Sequence, residues 1–110
     1  MKGYKRRGRF FHPDFPGWNV SDLILVYVEE AGLSGITTVA LVDKIRKEIE
    51  ISKNTIYRLI AREEARGNIE KFGRRIAQDS VGRMTYSRVL YFIGFSNMPE
   101  DIENHIRSKK

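Results

Sequence analysis

Residues 42–69, VDKIRKEIEISKNTIYRLIAREEARGNI, carry two apolar stripes that cannot belong to one continuous helix. Val42, Ile45 and Ile49 recur at spacings of three and four, which puts them on one helical face. The period breaks at Glu50-Ile51-Ser52, and a second stripe begins with Ile56, Leu59 and Ile60. Ser52 is a strong N-cap, because its hydroxyl accepts a first-turn backbone N–H that has no partner inside the helix. Ile51 before that cap and Ile56 after it have the spacing of a hydrophobic staple, which fixes the angle at which the chain turns into the second helix. Gly67 is the natural C-terminal stop. Two short helices joined by a tight turn follow from these residues alone.

The face that the second helix leaves to solvent narrows the function. With Ile56 as the buried direction and a step of about 100° per residue, Leu59, Ile60 and Glu63 share its side. Asn54, Tyr57, Arg58 and Ala61 fall opposite, with Thr55 and Arg62 flanking. These side chains suit base edges in a DNA major groove. Asn can bond adenine in two places, Arg can do the same to guanine, and Ala61 can meet a thymine methyl. Lys53 and the first-turn N–H groups favour a phosphate. A solvated polar face is the plain alternative, since most surface helices have one. The order Ser-Lys-Asn-Thr-Ile-Tyr-Arg directly after a capped turn argues for the DNA reading.

Ile51-Ser52-Lys53-Asn54-Thr55-Ile56-Tyr57-Arg58, followed by Gly67-Asn68-Ile69, resembles the helix-turn-helix of winged-helix transcription regulators. The resemblance covers roughly residues 20–95. It implies an α+β, mostly helical fold with a three-helix core and a β-hairpin wing, to which this chain adds a short C-terminal helix. Helix 52–66 would then read bases through Asn54, Thr55, Tyr57, Arg58 and Ala61, with Ser52, Lys53 and Arg62 on phosphates. In the wing, Asn68–Phe72 is a short strand, Gly73-Arg74-Arg75 opens a polar connection, and Met84–Phe95 is the return strand. Arg74, Arg75 and Arg83 would hold phosphate or the minor groove. The chain departs from the pattern at Glu63, where the family usually carries a buried leucine. Either Glu63 is paired and half exposed, or the helix sits differently.

A length of 110 residues allows one domain with a modest core. It divides into a basic arm at 1–18, the domain at 19–96, and a C-terminal helix and tail at 97–110. The net charge of +6 is unevenly spread. Residues 1–9 hold five basic groups and no acid, whereas residues 10–51 hold three basic and seven acidic. Residues 52–88 hold nine basic and four acidic, and the last 22 are balanced. Positive charge thus gathers on the arm, the second helix and the wing, as suits a polyanion bound with counterion release. Lys5, Arg6, Arg7 and Arg9 resemble arms that follow phosphates or a minor groove, with a plain solubility tail as the alternative. The turn-rich His12–Trp18 segment is expected to pack its aromatics on the domain.

Asn19 or Ser21 can cap a first helix that ends near Ala31-Gly32. Its run Leu23–Val28 is apolar at six consecutive positions, so part of it is expected to be covered from outside its own domain. Gly35-Ile36-Thr37 suits a short first strand, and Thr38 can cap a second helix, Val39–Ile49. Val89–Ile93 is apolar on both alternating faces, more than a wing strand needs. A last helix starts from Asn97-Met98-Pro99-Glu100-Asp101, and its Ile102 and Ile106 either cover that strand or meet a second subunit. A homodimer is expected, because two weak readers then act together on a palindromic site.

Catalysis finds little support. His12 and His105 are lone residues, and adjacent Glu29-Glu30 and Glu63-Glu64 point about 100° apart on a helix. No enzyme activity, metal, cofactor or small-molecule ligand is expected. The absence of cysteine is compatible with a reducing cytoplasm, and with the high charged fraction it suits a thermophile. The longest apolar run, six residues, is far below the ~20 that span a bilayer. Double-stranded DNA is therefore the expected partner and transcription regulation the expected role. A protein-interaction winged helix in a larger assembly, or a plasmid or viral replication or partition factor, are the alternatives.

Overall fold

The computed structural model describes residues 19–79, 81–94 and 100–108. The arm at 1–18, with Lys5, Arg6, Arg7 and Arg9, lies outside them, as do Phe95 and the helix cap expected at Asn97. The architecture is α+β. Helix α1 (Val20–Ala31) leads through a short 3-10 turn at Gly32–Ser34 to strand β1 (Ile36–Thr37) and helix α2 (Thr38–Glu48). Helix α3 (Lys53–Ala65), the hairpin strands β2 (Ile69–Gln78) and β3 (Met84–Phe92), and helix α4 (Glu100–Ser108) follow.

Asn19 starts α1 with a reciprocal capping box. Its side chain accepts the Asp22 N–H and the Asp22 carboxylate accepts the Asn19 N–H, each at 3.0 Å. At α2 the cap is Thr37, not Thr38. Thr37 ends β1 and already has the extended backbone that a cap requires, and its Oγ1 accepts the Ala40 N–H at 3.1 Å. Thr38 becomes the first helical residue, and its hydroxyl meets that of Ser87 at 2.7 Å, which pins α2 to β3.

The three antiparallel strands lie in the order β1-β3-β2, with Ile36 opposite Leu90 and Thr37 opposite Val89. This central position explains why the middle of β3 is apolar on both faces: Leu90 and Val89 are both buried. The strand stops at Phe92 rather than running on to 95, and Ile93 is exposed.

The hairpin also differs from the expected wing. Gly73-Arg74-Arg75 does not open a connection. These residues continue β2, whose pairing resumes at Arg74 opposite Arg88 and runs to Gln78 opposite Met84. Gly73, at φ 73°, sits where the register shifts between Lys71 and Arg74. A glycine with positive φ inside a strand marks a β-bulge as readily as a strand end.

Leu23 through Val28 are all buried, because α1 runs through the middle of the molecule and packs against α2, α3, β3 and α4. The cover expected from outside residues 19–96 is supplied in part by α4 of the same chain. On the α4 side, Ile102 and Ile106 are fully buried in the core that they share with α1. They are not available as a subunit contact.

Candidate nucleic-acid interface

Helix α3 is set in place from both ends. At its start Ser52 Oγ accepts the Thr55 N–H at 3.2 Å and meets the Thr55 hydroxyl at 2.8 Å, while Ile51 and Ile56 enter the core on either side of the cap. Arg46, in the last turn of α2, donates from Nε to the Ile51 carbonyl at 3.0 Å and so spans the connection between the two helices. The end of α2 is tied to α1 by a hydrogen bond from the Tyr27 hydroxyl to the Glu48 carboxylate. Lys44 Nζ adds to this tie from 4.4 Å above the Tyr27 ring.

At the other end, the Gly67 N–H bonds the Glu64 carbonyl and the Asn68 N–H bonds the Glu63 carbonyl, the paired closure of a Schellman motif. Glu63 is fully buried and paired, so neither expectation for it holds as stated. Its Oε2 accepts from Arg66 Nη1 at 2.8 Å and its Oε1 from the buried Asn68 Nδ2 at 3.1 Å. The carboxylate holds its buried position by bonding the residue that leads into β2. Lys71 and Glu64 add a looser bridge of 3.5 Å between the same two elements.

With both ends fixed, the outer face of α3 is the one expected. Lys53, Asn54, Tyr57, Arg58, Ala61 and Arg62 are exposed. Thr55 is the exception: it is half-buried, and its hydroxyl belongs to the cap.

The end of the hairpin is organised by Asp79. Its Oδ1 accepts the N–H groups of Arg83 and Val81 at 2.8 and 3.1 Å, and its Oδ2 accepts Arg83 Nε at 3.1 Å. The Arg83 N–H chiefly, helped by the Arg83 guanidinium and the Val81 N–H, holds the Asp79 carboxyl below its ordinary value against a smaller opposing effect of burial. Arg83 is thus engaged by the turn, though most of its side chain is exposed. Arg75 donates from Nη2 to the Ser34 carbonyl at 2.6 Å and ties β2 back to the 3-10 turn. Arg74 is exposed directly opposite Arg88. The three arginines assigned to the wing therefore have three different settings.

One cleft joins the two elements. Lys53 and Tyr57 of α3 line it together with Asp79, Arg83, Met84 and Thr85 of the hairpin, over a floor of Val39, Val42 and Asp43. The hairpin end stands beside the first turns of α3, across the cleft from Lys53 and Tyr57.

Ile76, Met84, Tyr86 and Arg88, all exposed, belong to this region and are not singled out by the sequence reading. Alternation along 74–78 and 84–88 would have shown them, had Gly73 been read as a bulge rather than a strand end. Among the described residues no group of His, Asp or Glu is placed to hold a metal ion, and no helix is long and apolar enough to cross a membrane. Comparison with protein-family models, with curated proteins and with solved structures finds no match.

Proposed function

We propose that the chain is a winged helix-turn-helix protein that binds double-stranded DNA with sequence preference and acts as a small dimeric transcription regulator. Helix α3 lies in the major groove, and the hairpin, as the wing, meets the adjoining backbone or minor groove. The observation that carries this reading is the placement of Asn54, Tyr57, Arg58 and Ala61 on one exposed face, with the cationic hairpin across a shared cleft. Asn and Arg offer the paired hydrogen bonds that distinguish adenine and guanine, and each such contact is worth ~1–3 kcal/mol of discrimination. The neighbouring cations supply the sequence-independent part of the affinity.

Selection of bound duplexes from a random library, followed by Arg58→Ala, tests the reading. Selection should yield a preferred site, palindromic if two chains bind together. The variant should lose more affinity for that site than for random DNA. Flat preference, or an equal loss on both, would remove base reading and leave Arg58 as a phosphate contact.

A further inference from the structure

The hairpin carries more apolar surface than phosphate binding can use. Ile76, Met84 and Tyr86 are 53%, 65% and 71% exposed. Directly opposed residues of an antiparallel pair share a face, so the pairs Arg74–Arg88, Ile76–Tyr86 and Gln78–Met84 stand together on one side of the ribbon. Two guanidinium groups thus lie behind three uncovered apolar side chains. We propose that this face enters the minor groove of the same duplex and bends it, with Ile76 and Met84 wedged against base steps and Arg74 and Arg88 on the flanking phosphates. The inference rests on the DNA reading above and goes further, because it assigns a deformation of the DNA and the side chains that cause it.

Reach, direction and charge support that occupant. From Arg74 opposite Arg88 to Gln78 opposite Met84 the ribbon extends five residue pairs. At ~3.3 Å per residue this is ~16 Å of ribbon, ample for a groove ~7.5 Å deep. Met84 borders the cleft that it shares with Lys53 and Tyr57, so the end of this face adjoins the surface offered by α3. Residues 69–92 hold five cations against two carboxylates, and one of those, Asp79, is committed to the turn and to Arg83.

Arg74 and Arg88 face each other as like charges across the ladder, an arrangement unfavourable in the free protein and relieved by a polyanion. A second copy packed on this face would bring two more guanidinium groups to the same place. Sugar walls and base stacks, by contrast, accept Ile, Met and aromatic side chains, and such wedges kink duplexes toward the major groove.

The test uses the full chain and a duplex of the selected sequence labelled at both ends, with the bend read from energy transfer and the self-association of the protein from sedimentation. The native protein should bend the duplex by ~20° or more. Ile76→Ala with Met84→Ala, both at exposed positions, should keep the circular dichroism spectrum of the native protein and, at protein concentrations that saturate the duplex, leave it nearly straight. A native complex with straight DNA would overturn the inference and leave sequence reading intact, as would a bend that the double variant retains. Loss of self-association without a change in bend would assign the face to a second copy and also overturn it. Failure to bind any duplex would remove the DNA reading, and this inference with it.

Discussion

Replacing Glu63 should be among the most damaging single changes in the molecule, although it is a carboxylate in a buried position. Glu63→Ala removes three contributions. The Asn68 amide, itself buried, loses an acceptor at 3.1 Å, which costs ~1–3 kcal/mol for a buried polar group. The ion pair with Arg66 is lost, but the Arg66 side chain is 45% exposed, so that pair is worth no more than ~1 kcal/mol. Removing the one buried methylene, Cγ, adds ~0.8 kcal/mol. Together these give about 3 kcal/mol, which in a domain of this size lowers the Tm by roughly 12–20 °C. Glu63→Gln keeps the shape and the acceptor for Asn68 and should cost about 1 kcal/mol. Glu63→Leu fills the space but leaves Asn68 without that partner, so it should fall between them. Urea titration of the four proteins, with the slopes compared to exclude a change in the unfolded state, measures the order. If Leu proves as stable as the native residue, or if Ala costs less than about 1 kcal/mol, the carboxylate does not hold α3 to β2 and this reasoning fails.

Ser52→Ala should cost about 0.5–2 kcal/mol, because the first turn of α3 loses its cap; an unmoved melting curve would show that the hydroxyl contributes nothing there. Gly35→Ala should be costlier, about 2–4 kcal/mol, from left-handed strain and overpacking. At φ 71° its Cβ would lie 2.7 Å from Tyr91 Cε1 and 2.9 Å from the Leu90 carbonyl oxygen, and a thermal melt within 2 °C of the native protein would contradict this. The Asp79 carboxyl is held below its ordinary value in the folded hairpin, so its contribution is complete above the ordinary carboxylate range and disappears as pH falls through the depressed value. The amide shifts of Val81 and Arg83, followed by NMR from pH 6 to about 2, should move together in the native protein and stay flat in Asp79→Asn.

The parts of the fold readable in the sequence are those fixed by neighbours along the chain. Ser52, Ile51 and Ile56 set the start of α3 within six residues, and Asn19, one of the two caps offered with Ser21, does the same for α1 through Asp22. The outer face of α3 followed from period alone, except at Thr55, whose hydroxyl the cap engages. What escaped depends on partners distant in sequence. Thr37 rather than Thr38 becomes the cap because β1 pairs with Val89 and stops there. Val89 and Leu90 look excessive for a wing strand because nothing local shows that β3 is central. Gly73 reads equally well as a strand end or a bulge, and only the register beyond it distinguishes the two. That ambiguity concealed Ile76 and Tyr86 as a facing pair. Glu63 could be recognised as a departure, but its answer lay in Asn68, whose amide folds back from the next element.

The enclosure of α1 by α4 has a consequence for how the chain must assemble. Leu23–Val28 leaves the ribosome well ahead of Ile102 and Ile106, the side chains that help to close over it. Throughout that interval the most thoroughly buried helix of the finished molecule has its apolar surface only partly covered. A chain interrupted after β3 would have its sheet and α3 in place and would still present that uncovered stripe to any similar chain nearby. Partly covered apolar surface of this kind drives aggregation of incomplete chains. Soluble protein should therefore accumulate only from messages translated through α4.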